Sequence, residues 1–146
     1  MKNWDFLNGM ITSYGLDLFI DDDHALISDR ESGRKIEVFE EKFYNREKTE
    51  EYVEYIVCFA TQHLHCEEDG DAADYIRRIL DDEVLPVEFY KDGERRFGGE
   101  IERSDFDKIS KEFLAQRFFC TPEYISQLEF EVHSWSGKYD IKRRGF

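Results

Sequence analysis

Residues 87–102 read VEFYKDGERRFGGEIE, and this stretch decides the fold class. Two β-prone runs, Val87 to Tyr90 and Arg95 to Glu102, flank the segment Lys91-Asp92-Gly93-Glu94. An Asp-Gly pair between two such runs predicts a tight hairpin, because both residues accept the positive φ angles that the turn requires. Gly98-Gly99 inside the second run predicts a bulge or a bend. We therefore expect an antiparallel strand pair here.

Further β-prone runs lie on both sides of this hairpin. Residues 128–132 alternate apolar and polar side chains, and after a turn at 135–138 the alternation continues at Tyr139 and Ile141. A period of two predicts strands with one buried face, so this segment is a second predicted hairpin. Nearer the N-terminus, three runs separated by short polar turns predict an antiparallel meander: Leu16 to Ile20, His24 to Ser28 and Arg34 to Phe39.

Helical periodicity is found between the strand groups. Apolar residues from Trp4 to Tyr14 recur on one helical face, with Asn3 as a cap before them and Gly15 after them. The longest predicted helix runs from about Glu47 to His65, with glutamates in its first turn, where the helix dipole favours negative charge. Its apolar stripe is Tyr52, Val53, Ile56, Val57, Phe59, Ala60 and Leu64.

Three shorter helices are also predicted. Asp71 can cap a helix that Pro86 stops, and Ser104 with Asp107 resembles an acidic capping box that opens another. Thr121-Pro122 starts a short helix through Gln127, since Pro suits the first helical turn. Because strands come in hairpins, we predict an α+β fold with mostly antiparallel sheet. It contains a three-strand meander, two hairpins and four or five helices, in a single domain over residues 1–146.

The composition excludes several classes of protein. The chain has 34 acidic and 20 basic residues, a net charge of −14, and 13 Phe, 8 Tyr and 2 Trp. So many aromatic residues support a packed core and argue against disorder, while the negative charge argues against direct binding of nucleic acid. No apolar stretch is long enough to span a membrane, and residues 1–5 lack the apolar region of a signal peptide. We expect a cytoplasmic protein with its three cysteines reduced.

The negative charge is confined to one part of the chain. Residues 1–90 hold 23 acidic and 9 basic side chains, whereas residues 91–146 hold 11 of each. Between Glu40 and Glu83 the count is 14 acidic against 5 basic. This region is either a solvated, solubilising face or a surface that steers a basic protein into contact.

Four metal-ligating residue types lie close together in the sequence: Cys58, His63, His65 and Cys66. Zinc prefers tetrahedral N and S ligands, but on one helix these side chains share a face only loosely, and no second pair follows at finger-like spacing. We interpret them as buried cysteines and solvent-facing histidines, with bound zinc as the alternative.

Catalytic and cofactor motifs are not recognisable in the chain. Asp21-Asp22-Asp23-His24 and Glu67-Glu68-Asp69-Gly70-Asp71 are acidic, but neither has the alternating oxygen ligands and closing Glu of a calcium loop. There is no Gly-x-Ser-x-Gly motif and no phosphate-binding loop. We therefore predict neither a cofactor nor an enzymatic activity. A small acidic enzyme stays open as an alternative, because a cleft with two carboxylates of perturbed pKa would support it.

Tyrosines interleaved with glutamates are the best candidate for a binding surface. Tyr44, Tyr52 and Tyr55 lie among acidic residues, and aromatic anchors surrounded by carboxylates suit a partner rich in Arg or Lys. The alternative is that Tyr52 and Tyr55 complete the core. The predicted partner-binding residues are Asp21, Asp22, Asp23, Tyr44, Glu47, Glu50, Glu51, Glu54 and Tyr55.

The order of elements resembles a known family. Ile27-Ser28-Asp29-Arg30, then Glu37-Val38-Phe39 before the long predicted helix, the hairpin at Phe89 and the helical break from Phe118 to Ile125 are similar to bacterial polymorphic-toxin and contact-dependent-inhibition immunity proteins. That family includes the antidote of a secreted NAD-glycohydrolase toxin. The resemblance implies a small cytoplasmic protein of bacterial competition that binds and blocks a toxin domain, without cofactor or catalysis.

Two hypotheses follow from charge and resemblance together. The first is an immunity protein that covers the active site of a basic toxin domain, of nuclease or NAD-cleaving type. The second is an acidic mimic of nucleic acid that inhibits a DNA- or RNA-binding system. Mimicry requires rows of carboxylates at phosphate-like spacing, whereas immunity requires only a complementary charged surface.

Overall fold

Residues 4–146 are described in the computed structural model, and within them the chain forms two antiparallel sheets and five helical segments. The predicted α+β class is confirmed. Contacts divide the chain into two compact units, Met1–Arg77 and Arg78–Phe146, with one sheet in each. Asn3, the predicted helix cap, lies outside the described residues.

The first unit contains a five-stranded sheet with strands in sequence order. All neighbouring strands are antiparallel, and the predicted meander forms its first three strands. Short turns join consecutive strands, so each strand pairs with the next one along the chain. The elements are α1 (Asp5–Ser13), β1 (Asp17–Ile20), β2 (His24–Ser28), β3 (Lys35–Tyr44), β4 (Glu51–Phe59), β5 (Gln62–Cys66) and α2 (Asp69–Leu80), whose last three residues are assigned to the second unit.

The predicted helix from Glu47 to His65 is wrong, because this segment forms β4 and β5. Its apolar residues include many β-branched and aromatic side chains, which favour a pleated strand over a helix. Burial follows a period of two, with Tyr55, Val57 and Phe59 buried and the residues between them partly exposed. A turn at Ala60, whose φ angle is +54°, then reverses the chain into β5.

Helix α1 lies over one face of this sheet. The rings of Trp4 and Phe6 contact the Tyr55 ring, with centroid distances of 5.3 and 5.1 Å. Leu7 and Ile11 on the same helix are buried, as the predicted apolar face requires. Since Tyr55 and Val57 lie on the covered face, the alternate residues of β4 lie on the opposite, outer face.

The second unit contains a four-stranded sheet in the order β7-β6-β8-β9. Both predicted hairpins are present, and the central strand β6 pairs with β7 on one side and β8 on the other. Pro86, predicted to end a helix, lies within β6. The elements are β6 (Val84–Lys91), β7 (Glu94–Glu102), a 3₁₀ helix (Arg103–Lys108), α3 (Lys111–Arg117), α4 (Pro122–Ile125), β8 (Glu129–Val132) and β9 (Ile141–Arg144).

Two details of the second unit differ from the sequence prediction. Ser104 lies in the 3₁₀ helix, and the cap of α3 is instead Ser110, whose hydroxyl accepts a hydrogen bond from Phe113 N at 3.0 Å. The strand irregularity lies between Phe89 and Tyr90 of β6 rather than at Gly98-Gly99. Gly99 instead leaves room for the Phe118 ring, because a Cβ at position 99 would lie 2.6 Å from that ring.

Replacing Gly99 with alanine tests this close approach. We expect Gly99→Ala to lower the free energy of unfolding by about 1–3 kcal/mol, since the Phe118 ring packs on Phe89 and has to shift. Urea denaturation measures the change. Gly9→Ala is the matched control: Gly9 lies in α1 with open space around its Cβ position, so alanine there should raise stability by about 0.5–1 kcal/mol. A neutral Gly99→Ala would contradict the packing.

Candidate functional site

Strands β3 and β4 extend beyond their neighbours. Strand β2 pairs with β3 only over Lys35–Phe39, and β5 pairs with β4 only over Tyr55–Phe59. In the part of the chain that the structure describes, residues 41–44 and 51–54 have no strand partner other than each other, and Glu40 pairs only with Tyr55. Residues 40–54 therefore form a two-stranded extension of about 17 Å, at about 3.3 Å per residue. We call residues 40–54 the acidic ribbon.

The acidic ribbon carries a net negative charge. It holds six glutamates against Lys42, Arg46 and Lys48. Lys42 lies 3.5 Å from Glu51, and both side chains are largely exposed. Exposed pairs of this kind contribute little to stability, so the charges remain available to a partner. The glutamates are Glu40, Glu41, Glu47, Glu50, Glu51 and Glu54.

The tip of the ribbon is a turn organised by Asn45. Its side-chain oxygen accepts hydrogen bonds from the backbone N–H groups of Thr49 and Glu50, at 2.8 and 3.1 Å. Asn45 N donates to Glu50 O at 3.1 Å, which closes the hairpin. The turn therefore holds Glu47 and Glu50, both exposed, at the end of the ribbon.

The second predicted acidic segment lies beside the ribbon. Residues Asp21, Asp22 and Asp23 form the turn between β1 and β2, and all three are exposed. Glu40 N donates to Asp23 O at 2.8 Å, which places this turn at the base of the ribbon. The fold thus brings together two acidic segments that are separated by about twenty residues in the chain.

The predicted tyrosines have different environments. Tyr44 and Tyr52 are 56% and 45% exposed, and Tyr52 stacks on Phe43 with ring centroids 5.7 Å apart. Tyr55, predicted as a partner contact, is fully buried against α1. Burial and a hydrogen bond to Asp69 raise the pKa of its hydroxyl. Tyr55 is therefore a core residue, because the strand period turns it to the face opposite Glu54.

The outer face of the five-stranded sheet adds apolar residues to this surface. Strand register places Phe19, Leu26 and Phe39 on this face, where Phe19 is 62% exposed and Phe39 is 37% exposed. The His24 ring stacks on Phe39 at a centroid distance of 4.6 Å. Glu54 belongs to the same face and contacts His65 Nδ1 at 3.0 Å. Glu54 was among the predicted contacts. Phe19, Leu26 and Phe39 lie on strands that the sequence predicts, but they were not singled out because the sequence alone does not show which face of those strands stays uncovered.

The cysteines and histidines that lie close together in the sequence are placed on opposite faces of the sheet. Cys58 pairs with His63 on the outer face, and His65 follows on that face, whereas Cys66 pairs with Tyr55 on the covered face. Among residues 4–146, no group of three or more His, Cys, Asp or Glu residues is placed to hold a metal ion. Burial raises the pKa of the Cys58 thiol, with Glu37 adding to the shift, and raises that of Cys66 to about 11.

The Ser-Asp-Arg motif of the family resemblance forms the turn after β2. Asp29 accepts hydrogen bonds from Ser32 Oγ at 2.8 Å and from Glu31 N at 3.2 Å. These hydrogen bonds, the Ser32 bond foremost, lower the pKa of the Asp29 carboxyl. Arg30 forms an ion pair with Asp17 at 2.5 Å. The motif therefore stabilises the β2–β3 turn, at the end of the sheet opposite the ribbon.

Two carboxylates lie directly opposite each other in the second unit. Glu88 and Glu131 are paired across β6 and β8, and the Glu88 side chain is fully buried. Arg95 Nε donates to Glu88 at 2.5 Å, and Arg143 Nε donates to Glu131 at 3.0 Å. The Arg143 guanidinium also lies 3.4 Å above the Tyr90 ring. Each carboxylate thus forms an ion pair with its own arginine on a neighbouring strand, β7 for Glu88 and β9 for Glu131, and these pairs help to hold the sheet together.

A polar cavity of about 430 Å³ lies beside the 3₁₀ helix in the second unit. Arg78 in its wall donates to both oxygens of Glu102, at 2.7 and 2.8 Å. Arg103 donates to the carbonyl of Asp81 at 2.9 Å. Because these two guanidinium groups are occupied by internal partners, the cavity is a weaker candidate for ligand binding than the ribbon.

No protein-family model, curated protein or solved structure matches this chain. Within the described residues, no helix has the length and apolar character that crossing a membrane requires. The acidic ribbon with its flanking aromatic face is therefore the candidate site on physical grounds. Five of the nine predicted partner-binding residues lie on the ribbon, three lie in the Asp21–Asp23 turn at its base, and Tyr55 is buried.

Amide hydrogen exchange tests whether the ribbon opens independently of the sheet. We expect amides of residues 42–53 to exchange at least about tenfold faster than those of residues 36–38 and 57–59, because a lone two-stranded hairpin is marginally stable. Mass spectrometry of peptic fragments after deuteration measures the rates. The buried strand β6 is the control for slow exchange. Equal protection along all of β3 and β4 would show that the ribbon is held rigidly.

Thiol alkylation tests the burial of Cys66. With a pKa of about 11 and 2% exposure, Cys66 should be alkylated by iodoacetamide at pH 8 far more slowly in the native protein than in urea. Since the folded-state pKa lies above the ordinary value of 9.0, Cys66 should contribute stability below about pH 9 that is lost as the pH rises to about 11. Peptide mapping measures alkylation, with the less buried Cys120 as the internal control. Rapid native alkylation of Cys66 would contradict its burial.

Proposed function

We propose that this protein is an immunity protein that binds a cognate, basic bacterial toxin domain and blocks its active site. The observation that carries the proposal is the acidic ribbon, which extends negative charge and exposed tyrosines away from the sheet. The resemblance to polymorphic-toxin immunity proteins supports the same function. The partner in this proposal is a nuclease-type or NAD-cleaving domain, and the inhibitor itself performs no catalysis.

The charge distribution supports a cationic partner. The first unit holds 19 acidic and 8 basic residues, against 15 and 12 in the second unit. An active site that binds phosphate groups is lined with Lys and Arg, so an acidic ribbon has the charge needed to occupy it. Opposite charges raise association rates by about 10–10³-fold and make them sensitive to salt.

The aromatic residues supply the short-range part of binding. Tyr44 and Tyr52 on the ribbon, and Phe39 on the outer face, are large exposed rings of the type that anchors protein interfaces. Rings on a strand pair have few rotatable bonds, so little conformational entropy is lost on binding. In this mechanism the carboxylates select and steer the partner, and the rings hold it once it is bound.

Charge reversal at the ribbon tip tests the proposal. We expect Glu47→Lys with Glu50→Lys to weaken binding to the toxin encoded by the neighbouring reading frame by at least about tenfold, mainly through a slower association rate. Biolayer interferometry at 50 and 300 mM NaCl measures both rate constants. The wild-type protein should lose affinity at high salt, and the variant should lose less.

A second double variant provides the control. Glu31→Lys with Glu129→Lys makes the same change in net charge at exposed positions outside the ribbon, and should alter affinity by less than about threefold. Growth of cells that express the toxin with each variant gives the functional readout. A neighbouring protein that is harmless when expressed alone, or that fails to bind at low salt, would refute the proposal. Capture of a host nuclease or restriction complex instead would favour nucleic-acid mimicry.

A further inference from the structure

Three consecutive cross-strand pairs line the outer face of β3 and β4, at the point where the acidic ribbon leaves the sheet. They are Phe39 opposite Ile56, Glu41 opposite Glu54, and Phe43 opposite Tyr52. The side-chain period of two puts all six side chains on the face opposite Tyr55. Two glutamates therefore lie between two apolar rows, and neighbouring rows along a strand are about 7 Å apart.

Neither glutamate of this face is paired with a lysine or an arginine. Among residues 4–146, the Glu41 carboxylate has no hydrogen bond or ion pair, and Glu54 contacts only His65, at 3.0 Å. The other face of the ribbon differs, because there Lys42 lies 3.5 Å from Glu51. Like charges directly opposite each other destabilise a sheet, so the fold alone does not account for two glutamates here. The outer face is the one that lacks a positive charge.

Aromatic rings flank these glutamates. Phe43 and Tyr52 stack with ring centroids 5.7 Å apart and planes 21° apart, and the His65 ring meets Phe43 edge-on at 5.7 Å. Tyr52 is 45% exposed, and Phe39 on the other side of the glutamates is 37% exposed. The face of an aromatic ring attracts a cation within about 6 Å of its centroid. Carboxylates between exposed rings suit a flat cation that can stack and donate hydrogen bonds at once.

We infer that the outer face of the ribbon binds an arginine side chain of the cationic toxin domain. The guanidinium group lies between Glu41 and Glu54, with its plane against the stacked rings of Phe43 and Tyr52. Opposite side chains of an antiparallel pair have Cβ atoms about 5 Å apart, so one guanidinium group can donate to both carboxylates. This inference rests on the proposed function, which supplies the cationic partner.

The chemistry of this face favours arginine over other occupants. The lysine ammonium group has no plane to stack on a ring, and it is more strongly hydrated than a guanidinium group. A second copy of this chain is opposed by its own charge, because the first unit holds 19 acidic and 8 basic residues. A protein that presents an arginine supplies the positive charge that this face lacks.

Two matched substitutions separate the arginine contact from charge steering. Glu41 and Glu51 are both exposed and both belong to the ribbon, but they lie on opposite faces. Glu41→Gln and Glu51→Gln each remove one negative charge, so both should slow association with the toxin by less than about twofold. Only Glu41→Gln should speed dissociation, by about tenfold, because the guanidinium group loses one carboxylate. Biolayer interferometry with the toxin encoded by the neighbouring reading frame measures both rates.

A double-mutant cycle identifies the residue type on the toxin. Each surface arginine and lysine of the toxin is replaced by glutamine in turn, and binding to the wild type and to Glu41→Gln is compared. For one arginine, the effect of Glu41→Gln on affinity should fall from about tenfold to less than about twofold, since the two side chains act as a pair. Coupling to a lysine instead would overturn the assignment of arginine.

The outcomes distinguish this inference from the proposed function. A wild-type protein that does not bind the toxin refutes both. Toxin binding that the ribbon-tip variant weakens, with equal dissociation rates for Glu41→Gln and Glu51→Gln, overturns this inference alone. Faster dissociation of Glu41→Gln, coupled to one toxin arginine, supports it.

Two further measurements on the isolated protein complete the test. The melting temperature of Glu41→Gln should not fall, because the change removes a repulsion between like charges. A clear fall would show that Glu41 supports the fold and would overturn the inference. Sedimentation of the wild type should be that of a monomer, whereas self-association that Glu41→Gln alters would make a second copy the occupant and overturn it as well.

Discussion

The pairing of β3 with β4 is the constraint on which the first unit depends. It runs without a break from Ile36 opposite Phe59 to Tyr44 opposite Glu51. A shift of one residue would exchange the two faces, because the side-chain period of a strand is two. Tyr55 would leave α1 for solvent, and Glu54 would enter the core. The buried residues at one end of this pairing thus fix which glutamates are exposed at the other end.

Local signals in the sequence predicted those parts of the fold that local interactions decide. Asp92-Gly93 predicted the β6–β7 hairpin, and Thr121 with Pro122 predicted the start of α4, because each signal acts within a few residues. The segment from Glu47 to His65 was wrongly predicted as a helix because its glutamates resemble the acidic first turn of a helix. The many β-branched and aromatic residues after Tyr52 favoured a strand instead. Their apolar side chains also show no helical period that would separate a buried face from an exposed one.

The sequence predicted the charge of the candidate site but not its structure, which is a strand pair rather than a helix. The sequence located the excess of acidic residues between Glu40 and Glu83, and most predicted contact residues lie on the ribbon or at its base. Tyr55 was misassigned because its face depends on strand register, which one sequence does not specify.

The strand edges of the acidic ribbon have a consequence for colloidal behaviour. Antiparallel pairing leaves the backbone groups of alternate residues on the outer side of each strand without a strand partner, and such edges can pair with the edges of other chains. Like charges on approaching ribbons repel, so the glutamates also act as gatekeepers against aggregation. A change of partner specificity that removed these carboxylates would therefore leave an uncharged strand edge that is prone to aggregation. The negative charge of these residues therefore serves solubility as well as recognition of a partner.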